Sequence, residues 1–365
     1  MGANPLLGVF FHWIGGLAAA SFYVPYKRIR MWSWEVFWLV GGIMSWVIAP
    51  WVFAAINTQD LFGVLAATPG DTLFWCYFWG AMWGFGGLTF GLTLRYLGIS
   101  LGMAVALGLT TVIGTLGPPI YDGTLGETAS TTSGQLTLVG IVMTLLGIAV
   151  VAKAGAAKER DMGGARQIGV AEFNLKRGLL IAVFSGVMSG CMAWGLDAGQ
   201  PIRELTLAAG TGELSQGLPV LCVVLLGGFT TNAIWCAMLI GKNRSLGQLV
   251  GNDAAAPAPG AEVTGGRMPL AMNYLLACTG GAIWYFQFFF YTMGESQMGR
   301  YGFSSWTLHM ASIILFSTLW GFALKEWKQA SGKTRATVWL GIALLVGSTV
   351  VIGLGNMLDG SLASH

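Results

Sequence analysis

The run Trp284-Tyr285-Phe286-Gln287-Phe288-Phe289-Phe290-Tyr291 sets one carboxamide among seven aromatic rings, inside an uncharged stretch from Leu270 to Met293. Apolar surroundings solvate the rings but not the amide, so Gln287 needs a partner in protein, water or ligand. Trp284, Gln287 and Tyr291 recur at i, i+3 and i+7, which is one face of a helix. Flat rings beside a hydrogen-bonding amide suit a small ring-shaped solute with a polar rim. A packed helix whose glutamine bonds a neighbouring helix fits the same pattern.

Other polar groups lie deep in apolar sequence, where they are costly and become functional candidates. His12 falls about eight residues into the first apolar run, or ~12 Å at helical rise. His309 stands about five residues into another run, beside Trp306 and one turn from Ser312. Imidazole titrates near pH 6.5, so either histidine can load and release a proton between two compartments; a neutral ring bonded to a backbone carbonyl is the alternative. His12, Gln287 and His309 are expected to reach one cavity. Asn232, with Trp235 three residues on, is a further solute contact. Asp197 and Glu35 each sit at the rim of an apolar run, where a carboxylate is either a solvated end charge or part of proton coupling. Glu35 also stands where a helix N-terminus favours negative charge.

The elements that must position these groups are membrane spans. The chain of 365 residues is 55% hydrophobic and 10% charged, with mean hydropathy +0.66. Soluble domains are nearer a quarter charged, so the composition describes an all-α integral membrane protein. Ten transmembrane helices are expected, near 4–26, 35–56, 72–94, 98–121, 135–152, 178–198, 215–240, 270–293, 304–324 and 335–357. Alternate connections hold 17 of the 19 basic residues. The others hold only Arg203 and Arg300, beside Asp60, Asp71, Asp122, Glu127, Glu204, Glu213 and Glu295. The positive-inside rule then makes both termini periplasmic.

The loop 156–177 divides the chain into a first five-helix repeat (1–155) and a second (178–357). Five spans per half means that related halves are inverted. Gly80-Ala81-Met82-Trp83-Gly84-Phe85 matches Gly281-Ala282-Ile283-Trp284-Tyr285-Phe286, each in the third span of its half. The Ala/Pro-rich segment 251–266 is expected to be a flexible cytoplasmic linker with no assigned role. Trp32, Trp34, Trp51 and Trp339 are expected in the interfacial belt. Ala18-Ala19-Ala20-Ser21 resembles a cleavage site, but no cation precedes it and the apolar run continues to Tyr26, so cleavage is not expected.

Catalytic signatures are absent: there is no HExxH, nucleophile elbow, phosphate loop or dinucleotide fingerprint. The five cysteines lie in apolar runs without CxxC spacing and read as packing residues. Three histidines, one of them His365, do not make a metal site. An enzyme, a bound metal and a cofactor are therefore not expected, nor is a nucleic-acid or obligate protein partner.

Several segments together resemble the bacterial L-rhamnose–proton symporter family. They are Phe11-His12-Trp13-Ile14-Gly15, Phe22-Tyr23-Val24-Pro25-Tyr26-Lys27, Trp32-Ser33-Trp34-Glu35, Gly80-Ala81-Met82-Trp83-Gly84, Leu94-Arg95-Tyr96-Leu97-Gly98 and Glu172-Phe173-Asn174-Leu175-Lys176. The aromatic run from Trp284, Ser305-Trp306-Thr307-Leu308-His309-Met310 and Leu324-Lys325-Glu326-Trp327 belong to the same set. The resemblance implies the drug/metabolite transporter superfamily, two inverted five-helix repeats and alternating-access uptake of L-rhamnose with a proton across the bacterial inner membrane. Substrate contacts are then expected from His12, Trp83, Asn232, Trp284, Gln287, Tyr291, Trp306 and His309. Proton coupling is expected from His12 and His309, assisted by Glu35 or Asp197. Asp197 stands where a neutral Asn is expected, which moves the coupling role toward the histidines. An exporter of another small metabolite and a membrane subunit that transports nothing are the competing readings.

Overall fold

A computed structural model describes residues 4–161, 174–252 and 269–362. Residues 162–173 of the connecting loop, 253–266 of the Ala/Pro-rich linker, and His365 lie outside the described residues. Every regular element among the described residues is helical. Eight stretches are long and apolar enough to cross a membrane: Pro5–Tyr26, Trp34–Asn57, Leu101–Tyr121, Thr132–Lys158, Leu175–Ala208, Glu213–Asn243, Gly299–Ala323 and Gly332–Leu358. The other two expected spans, 72–94 and 270–293, are also helical. They are richer in Trp, Tyr and Gly, which lowers their hydropathy without adding charge.

Asn4 caps α1 (Pro5–Ser21) by accepting from the Leu7 amide, and Pro5 occupies the first helical position, where its missing N–H costs nothing. A short α2 (Tyr23–Tyr26) follows. The second span is α3 (Trp34–Gly42), a π-helical turn (Ile43–Ile48) and α4 (Ala49–Asn57). Pro50 explains that turn: it has no N–H to give the Trp46 carbonyl, and its ring crowds that carbonyl. Widening the helix by one residue relieves both problems and re-aims Trp46 inward, where it is buried.

After α5 (Leu61–Ala67), helix α6 runs from Gly70 to Tyr121. Its 52 residues would stretch about 78 Å if straight, far beyond a hydrocarbon core of about 30 Å. It doubles back instead. Gly102 packs against Thr93 and Leu94. Ser185 Oγ donates to the Gly86 carbonyl at 3.0 Å, and Thr110 Oγ1 donates to the Gly186 carbonyl at 3.3 Å. Residues 86 and 110 therefore lie side by side on one partner helix, and α6 has two antiparallel arms, matching the spacing of the expected spans 72–94 and 98–121.

The remaining helices are α7 (Leu125–Ser130), α8 (Thr132–Asp161), α9 (Leu175–Asp197), α10 (Gln200–Ala208), α11 (Leu218–Asn243), α12 (Leu270–Glu295), α13 (Ser305–Ala323) and α14 (Gly332–Leu362). Helix α9 packs on both arms of α6, and α1 packs on both α12 and α13. Helix α8 packs on α14, and the second span packs on α11. Backbones come close at these crossings. A side chain on Gly281 would strike the Gly41 carbonyl, and one on Gly15 would reach within 2.8 Å of the Gln287 carbonyl.

Trp32 departs from the interfacial belt expected of it. It is buried, its indole N–H donates to the Gln248 carbonyl at 2.9 Å, and it meets the Tyr274 ring edge-on. Trp34 and Trp339 are exposed, while Trp51 stacks on Phe62.

Candidate substrate cavity

A cavity of about 340 Å³ lies between α3, both arms of α6, α9, α11, α12 and α13. That is the size of a pocket for one small solute. Trp83, Asn232, Trp284, Gln287, Trp306 and His309, six of the residues singled out from sequence, line it. Tyr23, about half exposed, and Trp38 line it too, so it extends toward the end of the bundle that bears Lys27.

Indoles build its centre. Trp83 and Trp284 have ring centroids 5.7 Å apart at 40°. Trp46 presents its edge to both, at 6.2 Å and 5.3 Å. Phe288 closes the other side, edge-on to Trp83 at 6.0 Å and to Trp284 at 5.3 Å. Trp306 is fixed by donating to the Thr110 carbonyl at 3.0 Å, so it contributes its ring rather than its N–H.

The polar groups differ in how far the protein already uses them. Asn232 donates to the Gly228 carbonyl at 2.9 Å and accepts from the Trp38 indole at 3.2 Å, which holds Trp38 against the cavity. Gln287 is 6% exposed, and no protein group among the described residues hydrogen-bonds its amide. Its carbonyl and its NH₂ are free for something inside the cavity. Both ring nitrogens of His309 are also unpartnered, in a residue 1% exposed.

His12 does not line this cavity. It is fully buried behind Tyr291, with ring centroids 5.3 Å apart, and Tyr291 stands 5.3 Å from His309 on its other side. Both nitrogens of His12 are unpartnered as well. The expectation that His12, Gln287 and His309 meet in one cavity is thus altered: two do, and the third sits one ring deeper. Small residues cause the shift, since Gly294 leaves room beside the His12 ring.

The two carboxylates lie elsewhere. Glu35 is buried at the start of α3, where Oε1 accepts from Asn243 Nδ2 and Ser245 Oγ, each at 2.9 Å. It ties the second span to the end of α11. Asp197 is exposed on a second cavity of about 340 Å³ at the opposite end of the bundle, also lined by Asp122, Arg203, Glu295 and Arg300. Helix α12 borders both cavities, through Phe288 on one and Thr292 on the other, a single turn apart.

Sequence reasoning missed Trp46, Trp38, Tyr23, Thr110 and Ser189 on the lining. Trp46 had a signal, Pro50 four residues later; the others look like any helix residue in an apolar run. Among the described residues, no three His, Cys, Asp or Glu side chains are grouped to hold a metal ion. The arrangement can stack a small ring and hydrogen-bond its rim, with titratable groups alongside.

Residues 1–358 match the model of the L-rhamnose-proton symport protein family. Curated relatives from Cronobacter sakazakii, Salmonella paratyphi B and Salmonella newport, each named L-rhamnose-proton symporter, are 38% identical over 350 residues. The alignments cover 96% of this chain and 97% of each relative.

Proposed function

Because the chain belongs to the L-rhamnose–proton symport family, a family of transporters and not of enzymes, we propose that it imports L-rhamnose with a proton by alternating access. It is a multi-pass inner-membrane protein. The observation that carries the sugar reading is the Gln287 amide, free of protein partners and set between indole walls in a cavity of small-solute size.

In this reading Trp83, Trp284 and Trp306 face the apolar side and methyl group of the deoxysugar. Gln287, Asn232 and His309 hydrogen-bond its hydroxyls. Tyr291 and His12 stand behind His309 and serve the proton. Glu35 acts as a tie between helices, and Asp197 lies at the outer mouth. Proton and sugar drive each other only if each binds one state of the carrier better than the other.

Ten crossings, in two inverted five-helix repeats with periplasmic termini, complete the proposal. Its support is the exchange of partners between halves. The first helix of each half packs on the third and fourth spans of the other, through α1 on α12 and α13 and through α9 on the two arms of α6. Second pairs with second, and fifth with fifth. The basic connections support the orientation. Membrane lipid is the only other partner proposed.

Sealed vesicles test the function. With acid imposed outside, purified protein should accumulate L-rhamnose, and adding sugar without a gradient should raise the external pH. Sugar that enters without any proton movement rules out symport, and no entry at all rules out import.

A further inference from the structure

A half-buried ion pair at the outer cavity is unused by the site described above. Arg203 on α10 donates through Nη2 to both oxygens of Glu295, at 3.3 and 3.2 Å, and to the Leu196 carbonyl at 2.7 Å; Nη1 donates to Gln200 Oε1 at 3.2 Å. The side chains are 13% and 18% exposed. The surface pair Arg300–Glu127 differs, being half exposed or more on both sides.

Glu295 is the last residue of α12, on the stripe that carries Trp284, Gln287 and Tyr291 at the helical spacing i, i+3, i+7, i+11. The same helix end touches α1, where Gly294 meets the His12 ring. Glu295 on the outer cavity, Tyr291 one helical turn before it, and the two histidines that flank Tyr291 thus lie in order between that cavity and the sugar cavity.

We propose that Glu295 is the proton acceptor at the outer end of the coupling path, and that its pairing with Arg203 transmits its charge to the helix bearing the sugar-binding face. This deepens the symport reading and rests on it. Ionised Glu295 holds α10 against the end of α12, closing the floor between the cavities. One proton passes from hydronium in the outer cavity to Glu295: an O–H bond of hydronium breaks as one forms on the carboxylate, and neutral water is left. Arg203 is then a half-buried cation without its counterion, which is costly, so it turns toward Asp197 and water and frees the end of α12. Loss of the proton to water inside restores the carboxylate.

The charged and titratable groups around the pair are consistent with this. Asp197 at the end of α9 is within electrostatic reach of Glu295, and Tyr291 lies one turn before it on α12. His12 approaches from α1, Asp122 and Arg300 share the cavity, and Cys76 on α6 lies near Arg203.

The test reconstitutes full-length Glu295→Gln in liposomes and compares acid-driven L-rhamnose accumulation with counterflow exchange of labelled L-rhamnose at equal pH. Accumulation is expected to fall by about tenfold or more, a usual size for lost coupling, while exchange persists and no longer responds to external pH. Glu295→Asp should recover part of the accumulation. A Gln variant that accumulates sugar like the wild type overturns the proposal. If that variant does not assemble, Arg203→Gln decides: with its counterion gone, Glu295 holds its proton to higher pH, so the midpoint of uptake must move upward. An unmoved midpoint overturns the proposal too. Wild-type protein that exchanges no L-rhamnose would instead overturn the symport reading.

Discussion

Trp83 and Trp284 meet at the centre of the protein with ring centroids 5.7 Å apart, each from the matching Gly-Ala-x-Trp segment of its own half. The glycine three residues before each one explains the approach. A Cβ on Gly80 would strike the Val224 carbonyl of α11, and one on Gly281 the Gly41 carbonyl of α3. Trp83 thus comes in close beside α11, and Trp284 close beside α3. Replacing Trp284 by Ala should weaken L-rhamnose binding by about 2 kcal/mol, roughly thirtyfold in Kd, as expected for a central aromatic contact. Trp284→Phe should recover part of the loss. Titration calorimetry on the two variants reads this, and an unchanged Kd in Trp284→Ala means that the sugar does not touch that wall.

Gln287 separates binding from folding. Its amide has no protein partner among the described residues, so Gln287→Leu removes no internal hydrogen bond. The variant should melt at the same temperature as the wild type or slightly higher in detergent. L-rhamnose affinity should fall by about 1–3 kcal/mol, the cost of leaving a sugar hydroxyl unpaired. A variant that unfolds early but binds normally would show that the amide serves packing.

Away from the site, the last helix is held in trans. Asp161, at the end of α8, accepts from Thr334 Oγ1 at 2.7 Å and from the Ser331 amide at 2.8 Å, tying α8 to the start of α14, where Ser331 Oγ caps the Thr334 amide. Those two donors, Thr334 first, hold the Asp161 carboxyl below its ordinary value of 3.8. A carboxylate with a lowered folded pKa stabilises above its unfolded value, and that contribution is lost as pH falls through the folded one. Asp161→Asn should therefore lower Tm at neutral pH, and the gap to wild type should close as pH falls below the ordinary carboxylate range. A gap constant with pH would show that the charge of Asp161 contributes nothing.

The helices, and eight stretches of membrane-crossing length, were legible in sequence because crossing a membrane imposes a run length and an apolar composition that any one segment displays by itself. Trp284 and Gln287 were legible for a related reason, since an amide in an apolar run needs an explanation locally. What sequence did not show was relative depth. His12 and His309 look equivalent along the chain, yet Tyr291 stands between them, and only the glycine-lined crossing of α1 and α12 sets that order. Trp32 likewise reads as an interfacial ring, and its burial depends on the Gln248 carbonyl over two hundred residues away. Arg203–Glu295 joins two charges that the sequence shows only as members of separate connections, 92 residues apart.

The order His309, Tyr291, His12 predicts different phenotypes for two residues of one type. His309 lines the cavity, so His309→Gln should both weaken L-rhamnose binding and flatten its dependence on pH. His12 is walled off by Tyr291, so His12→Gln should leave counterflow affinity within about twofold while acid-driven accumulation falls. Tyr291→Phe keeps the ring contacts with both histidines and removes only the hydroxyl. It should resemble His12→Gln if the proton passes that way, and wild type if Tyr291 only packs. Uptake and counterflow measured across external pH for the three variants distinguish these outcomes. Equal losses of sugar affinity in His12→Gln and His309→Gln would mean that both rings reach the solute and that the order drawn from the structure does not govern transport.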